Sequence, residues 1–166
     1  AFSTPITGGG AGTVLDLDQP EGVVSVASGY CMIPFRVHVQ TQTPLLATDA
    51  DECEILLAVD TGAAWYGDGT KTDETIYNLR TDLGTGLGGI TAASAFTADM
   101  TRDGSADPSL LLELGRSVIV GDVQGTAATA LWTKNELLYE PKYPPIIVGP
   151  AAMYLYWGGT VATTGF

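Results

Sequence analysis

The closing stretch of the chain, Pro144 to Phe166, reads PPIIVGPAAMYLYWGGTVATTGF and carries no charged residue. It is broken by Pro144, Pro145, Gly149, Pro150, Gly158 and Gly159, so it cannot form one continuous membrane-spanning helix. Large apolar side chains follow one another through residues 153–157, which puts them on both faces of any strand formed there. A strand of this kind is either covered on both sides within a sheet or exposes an aromatic face to a partner. We therefore predict strands and turns here, and no membrane span.

Aromatic residues of this stretch are also candidates for a subunit contact. A domain of this size has one main core, so one face of the closing strand is easily covered while the other needs further cover. Whichever of Tyr154, Tyr156 and Trp157 does not fit inside is expected at an interface between subunits. We add Phe2 and Trp65, two aromatic residues outside the predicted strands, to this set of candidate interface residues.

Composition favours a single all-β domain. The 166 residues include 21 glycines and 9 prolines, with 45% hydrophobic residues, which describes a folded chain with many turns and little helix. Residues 1–12, AFSTPITGGGAG, gain little by folding alone and are predicted to be an arm, either flexible or ordered against a neighbouring subunit. Residues 13–166 are predicted to form the domain.

The clearest strand in the sequence is residues 30–42. Ile33, Phe35, Val37 and Val39 recur at the two-residue period of a strand, which predicts one core face and one wet face. Pro34 cannot donate a ladder hydrogen bond, which predicts a sheet edge or a bend at that point. Further strands are predicted at 13–18, 23–26, 55–59, 76–81, 90–100, 110–120 and 128–140, although the last two segments also have a helical alternative. These eight or nine strands indicate an antiparallel β-sandwich, with a jelly roll as the favoured form.

The charge balance argues against nucleic acid as a direct partner. Nineteen acidic residues against 7 Lys and Arg give a formal charge of −12, and no basic cluster offsets it. Nucleic-acid affinity depends on basic residues that displace counterions from phosphates. Cys31 and Cys53 lack a zinc-binding spacing. If strands 30–42 and 52–60 pair as a hairpin, these cysteines lie about 30 Å apart, so two free and mostly buried thiols are expected.

Catalytic equipment is sparse in the sequence. His38 is the only histidine, and its neighbours on the strand face are Arg36 and Gln40, which predicts a solvated histidine more readily than a catalytic base. Glu113 with Glu136 or Glu140 is the alternative of a glycosidase pair, but nothing in the spacing selects these carboxylates. The glycine run 84–89 lacks the Lys-Ser/Thr of a phosphate loop. We therefore expect no enzymatic activity and no cofactor.

Acidic turns supply weak candidates for calcium. Asp103 and Asp107 fit the first and fifth positions of an EF-hand loop, but Leu114 stands where a bidentate glutamate is required. A looser site formed by Asp49 or Asp51 with another loop is the remaining alternative. We expect plain solvated turns at these positions and no metal.

Three segments together carry a resemblance to a group of known proteins: VVSVASGYCMIPFRVHVQTQ (23–42), GDVQGTAATALWTKNELLYEP (121–141) and the uncharged closing stretch, preceded by the glycine-rich arm. In pattern they resemble small jelly-roll structural proteins of tailed phages and environmental viruses, which assemble on or in a capsid. The resemblance implies a virion protein that forms trimers or higher homo-oligomers beside other virion proteins, without a cofactor.

The acidic surface refines that expectation and leaves two alternatives open. A surface that faces packaged genome is expected to be basic, so an outward-facing decoration or shell subunit is favoured. One alternative is a carbohydrate- or receptor-binding β-sandwich, assisted by calcium at the acidic loops. The other is an extracellular filament or surface-layer subunit, in which the arm adds a strand to the next subunit's sheet.

Overall fold

The computed structural model describes residues 20–40, 53–60, 70–78, 82, 88–96, 111–119 and 135–159. These residues are all-β, with almost no helix, and every strand pairing is antiparallel, which confirms the predicted class. No helix in the described part is long and apolar enough to cross a membrane. The ten strands are β1 (Gly22–Val26), β2 (Cys31–Met32), β3 (Val37–Gln40), β4 (Cys53–Asp60), β5 (Thr72–Glu74), β6 (Ile90–Ser94), β7 (Leu111–Ile119), β8 (Glu136–Tyr139), β9 (Ile147–Val148) and β10 (Ala151–Gly159).

Strand β10, from the uncharged closing stretch, lies inside a six-stranded sheet of order β5-β6-β1-β10-β4-β7. It pairs with β1 on one side and with β4 over eight residue pairs on the other, Ala152↔Asp60 through Gly159↔Cys53. The prediction of strands in this stretch is confirmed. An interior strand with cover on both faces needs large apolar side chains in both orientations, which is the pattern of residues 153–157.

One face of the sheet, here called the ribbon face, is covered by two short strand pairs. It presents Ile55, Leu57, Val59, Ala151, Met153, Leu155 and Trp157, which alternate along β4 and β10. The β3–β8 ribbon contributes Val39 and Leu137 to this core. The β2–β9 ribbon contributes Met32 and Ile147, which pack with Val26 and Val59. Burial of these aliphatic groups stabilises the chain by about 25 cal/mol per Å² of apolar surface removed from water.

The opposite face of the same sheet is also buried. Its core cluster comprises Val23, Leu56, Ala58, Ala93, Phe96, Ala152, Tyr154 and Tyr156. The rings of Tyr154 and Tyr156 lie 5.8 Å apart between centroids and are tilted by 31°, a favourable spacing for an aromatic pair. Both faces of β10 are therefore packed within the single chain.

A β-bulge in β7 brings that strand against β8. Leu57 pairs with Gly115 while Ala58 pairs with Glu113, so Leu114 is the extra residue. A Cβ at Gly115 would lie 3.3 Å from the Leu137 side chain, so glycine permits the close approach. Ser117 Oγ donates a hydrogen bond of 2.5 Å to Oδ1 of the buried Asn135, which fixes the start of β8 over β7. The predicted strand at 110–120 is confirmed, and its bend has this origin.

The strand predicted at 30–42 is divided. Residues 31–32 and 37–40 are strands, while residues 33–36 between them are not. The prediction that Ile33 and Phe35 face the core is wrong, since both are exposed and Pro34 is the buried residue. Proline carries no N–H for a ladder, so the pairing ends there and the side chains after Met32 are released from the core. The expectation at Pro34 was a sheet edge or a bend, and the structure shows that the strand is interrupted there.

Some other predictions from the sequence are wrong, and others fall outside the described residues. The hairpin between 30–42 and 52–60 is wrong, because β3 pairs with β8, and β4 pairs with β10 and β7. Cys31 is a free thiol, as expected, but it is exposed and not buried. Strand β5 occupies 72–74. Of the strand expected at 76–81, residues 76–78 form no extended strand, and residues 79–81 lie outside the described part of the chain. The arm 1–12 and the strand predicted at 13–18 lie outside the described residues.

Candidate interaction surface

The β2–β9 ribbon and the residues that flank its two strands carry a group of exposed apolar side chains. Cys31 pairs with Val148 and Met32 pairs with Ile147 in an antiparallel register. Met32 and Ile147 point inward to the core, so their neighbours on both strands point outward. Ile33 is 48% exposed, Phe35 65%, Ile146 65% and Val148 63%. We call Ile33, Phe35, Ile146 and Val148 the ribbon patch.

Local sequence explains why these side chains face outward. A two-residue strand pair has one inward and one outward position on each strand, and the core takes Met32 and Ile147. Pro34 is buried, while its neighbours at 33 and 35 are exposed. On the partner segment, Pro144 and Pro145 precede Ile146 and Pro150 follows Gly149, which limits the strand to residues 147–148. With two residues in each strand, the ribbon buries one side chain per strand and leaves the other exposed.

Gly149 holds the end of this ribbon against the sheet. Its N–H donates a hydrogen bond of 3.0 Å to the Tyr30 carbonyl oxygen. A Cβ at this position would lie 2.7 Å from the Ala27 carbonyl carbon and closer still to the Val26 and Ala27 carbonyl oxygens. Only glycine allows this backbone approach. The position of β9, and with it the position of the ribbon patch, is therefore fixed by main-chain contacts.

Tyr143 extends the apolar surface towards a basic side chain. It is 81% exposed, and the Lys142 ammonium lies 5.4 Å from the centroid of its ring, within the range of a cation–π contact. An exposed tyrosine held beside a cation offers both apolar area and a hydroxyl to a partner. Such aromatic residues are enriched in protein interfaces.

Three of the five predicted interface residues are core residues of the single chain. Tyr154 is 0% exposed, Tyr156 1% and Trp157 8%. The condition under which they were expected at a contact, that they would not all fit inside, does not hold. Phe2 and Trp65 lie outside the described residues. Other large apolar side chains are exposed instead, on β7, on β8 and at the ribbon patch. Among them, Ile33 and Phe35 were predicted to lie in a core strand, and Ile146 and Val148 were not predicted as interface residues.

Among the residues that the structure describes, the polar partner of His38 is Glu136. Its Nε2 lies 2.9 Å from Glu136 Oε1 on the outer face of the β3–β8 ribbon, and both side chains are exposed. A neighbouring carboxylate can orient an imidazole, but a catalytic triad also requires a nucleophile within hydrogen-bond reach. No Ser, Thr or Cys contact to His38 is found in the described part of the chain. The contact supports the reading of a solvated strand histidine.

The carboxylates considered for a glycosidase pair have different partners. Glu113 accepts hydrogen bonds from Arg116, at 2.9 Å from Nη2, and Arg116 also pairs with Glu54. Glu136 is paired with His38, while Glu140 is exposed. Hydrogen bonding to Glu113 raises the pKa of Arg116 above its usual value, and attraction to Glu54 adds to the effect while burial opposes it. This arrangement is a surface ion-pair cluster across β4 and β7.

Metal ligands do not come together among the described residues, where no three His, Cys, Asp or Glu side chains are grouped closely enough to hold an ion. The calcium candidates Asp49, Asp51, Asp103 and Asp107 lie outside those residues, so calcium stays an alternative for the acidic loops. Comparison with known protein families, with curated proteins and with solved structures finds no match to this chain.

Proposed function

We propose that the chain is a non-enzymatic structural protein of a virion, which self-assembles as an outward-facing decoration or shell subunit on a viral capsid. The observation that carries the self-assembly is the exposure of the ribbon patch, four apolar side chains in and beside the paired strands β2 and β9. Soluble monomers rarely expose contiguous apolar surface unless it serves a contact. Its burial in an assembly removes this area from water, at about 25 cal/mol per Å².

The capsid setting is supported by the sequence resemblance and by the layered β architecture. The β2–β9 and β3–β8 ribbons cover one face of the six-stranded sheet, as a second layer does in a sandwich. A jelly-roll sandwich is the form we propose for the whole domain. Such folds expose loops and sheet edges on all sides, which suits subunits that contact several neighbours.

An outward position on the particle is supported by the charge. The chain carries −12 overall, and exposed carboxylates such as Asp73, Glu113 and Glu140 lie on several different strands or their ends. A surface of this kind repels the phosphates of a packaged genome. The partners we propose are therefore further copies of the chain and other virion proteins, and not nucleic acid.

Light scattering coupled to size-exclusion chromatography tests the self-assembly. The wild-type chain is expected to form trimers or larger closed oligomers with increasing concentration, and Phe35→Asp is expected to shift it to monomer. Circular dichroism of the variant checks that it stays folded. A wild-type chain that is monomeric at every concentration and binds an immobilised glycan would replace this proposal by the binding-module alternative, and open polymers would favour the filament.

Antibody labelling tests the virion assignment separately. Virus-sized particles are enriched on a density gradient from material that produces the chain. These particles are expected to contain the chain and, while intact, to bind an antibody against it. Detection of the chain only in soluble or cell-surface fractions would overturn the virion assignment, whatever its oligomeric state.

A further inference from the structure

The two chain segments that form the ribbon patch carry basic residues and no acidic ones. The two segments that form it, residues 30–36 and 142–148, contain Arg36 and Lys142 and no Asp or Glu. These are two of only seven basic residues in a chain of charge −12. The acidic residue nearest to these segments in sequence is Glu140. The two segments thus carry charge of the opposite sign to the chain as a whole.

Neither basic group is neutralised by a carboxylate in the described part of the chain. Lys142 contacts the Tyr143 ring, and Arg36 is exposed without an ion pair there. Arg116 differs, since Glu54 and Glu113 both bind it. Two unpaired cations beside an apolar surface fit a partner surface that carries carboxylates, because complementary charge steers association and selects the partner.

A second copy of the chain offers such a surface, but not at the same patch. In a two-fold contact each patch meets its own counterpart, which brings Arg36 and Lys142 of both copies into one contact area. Like charges brought together across an interface are unfavourable. A contact between the patch of one copy and a different, acidic surface of the next copy avoids this repulsion.

We propose that the ribbon patch docks on an acidic surface of a second copy, in a head-to-tail contact that is not two-fold symmetric. This inference rests on the proposed self-assembly and adds that each contact joins two different surfaces of the chain. Each copy then has one donor surface, formed by Ile33, Phe35, Ile146, Val148, Arg36 and Lys142, and one acidic receiving surface elsewhere. Contacts of this type close into rings or continue as open arrays.

Mixing a patch-defective variant with the wild-type chain tests whether the contact is head-to-tail or two-fold. Phe35→Asp removes the donor surface but leaves the receiving surface. When about one copy in ten is the variant, it is expected to cap growing assemblies and to lower their mean mass by more than about a tenth. In a two-fold contact the variant is simply left out, and the wild-type assembly keeps its mass. Ile146→Asp serves as a second patch variant if Phe35→Asp fails to fold. Tyr77→Asp, at an exposed tyrosine outside the two segments, is the matched control and should not cap.

Charge reversal tests the acidic partner. Arg36→Glu combined with Lys142→Glu is expected to abolish the assembly, and wild-type assembly should weaken at least severalfold between about 50 mM and about 500 mM sodium chloride. Assembly that ignores both salt and charge reversal, or that resists capping, overturns the head-to-tail contact while the proposed function stands. A wild-type chain that never assembles overturns both.

Discussion

Strands β9 and β10 both come from the uncharged closing stretch, but apolar side chains at the two strands have different environments. Ile146 and Val148 are mostly exposed at β9, whereas Tyr154 and Tyr156, a few residues later in β10, are fully buried. Strand β10 has hydrogen-bonded neighbours on both sides and cover on both faces. Strand β9 has one partner over two residue pairs and is covered on one face only. Burial thus follows the number of neighbouring elements and not the hydrophobicity of the residues themselves.

The largest expected effect comes from comparing tyrosine truncations at a buried position in β10 and at an exposed position just before the closing stretch. Tyr156→Ala removes a ring from the centre of a packed face and is expected to lower the free energy of unfolding by about 3–5 kcal/mol, because a cavity remains. Tyr143→Ala, at an exposed ring, is expected to change it by less than about 0.5 kcal/mol. Urea unfolding of both variants gives the comparison. Equal losses at the two positions would contradict the assignment of β10 to the core.

Two adjacent isoleucines at the start of β9 give the same contrast one residue apart. Ile147 is buried against Val26 and Val59, so Ile147→Ala is expected to cost about 2–3 kcal/mol. Ile146→Ala has the same chemistry one residue away, on the outer face, and is expected to cost less than about 0.5 kcal/mol.

Both isoleucine variants are to be measured at concentrations where the chain is monomeric, by urea unfolding. The same Ile146→Ala change should weaken the assembly at higher concentration, as measured by light scattering. A loss of monomer stability at Ile146 equal to that at Ile147 would mean that the outer face is covered within the chain.

Sequence periodicity predicted the class of the fold and the location of several strands. The alternation in residues 153–157 and the proline and glycine breaks were sufficient to predict strands in the closing stretch. Periodicity did not reveal which strands are neighbours, because strand pairing depends on contacts between residues far apart in sequence. The pairing of β4 with β10 and β7, in place of a hairpin with residues 30–42, is an example.

The ribbon patch was missed for a related reason. Ile33 and Phe35 continue the two-residue period of a strand, so the pattern alone places them with Val37 and Val39 in the core. Pro34 is the signal that could have separated them, since a strand that loses its ladder there need not keep its side-chain orientation relative to the sheet. Likewise Pro145 and Pro150 limit β9 to a short strand, which has room for only one buried residue on its inner face.

Alkaline pH gives the smallest expected effect and compares a partly buried tyrosine with an exposed one. Tyr139 lies in β8 beside Gly115, and burial raises its pKa above the ordinary value of 10.0. A group whose pKa is higher in the folded chain contributes stability that is present below the unfolded pKa and is lost as pH rises through the folded pKa. The urea midpoint of wild type is therefore expected to fall above pH 10, and Tyr139→Phe should reduce this fall because it removes the ionisable group.

Tyr143→Phe controls for loss of a hydroxyl at an exposed ring. If Tyr139→Phe declines as steeply as wild type between about pH 9 and about pH 11, the inner side of the β3–β8 ribbon is as accessible to water as the outer side, and the contrast between its faces does not hold.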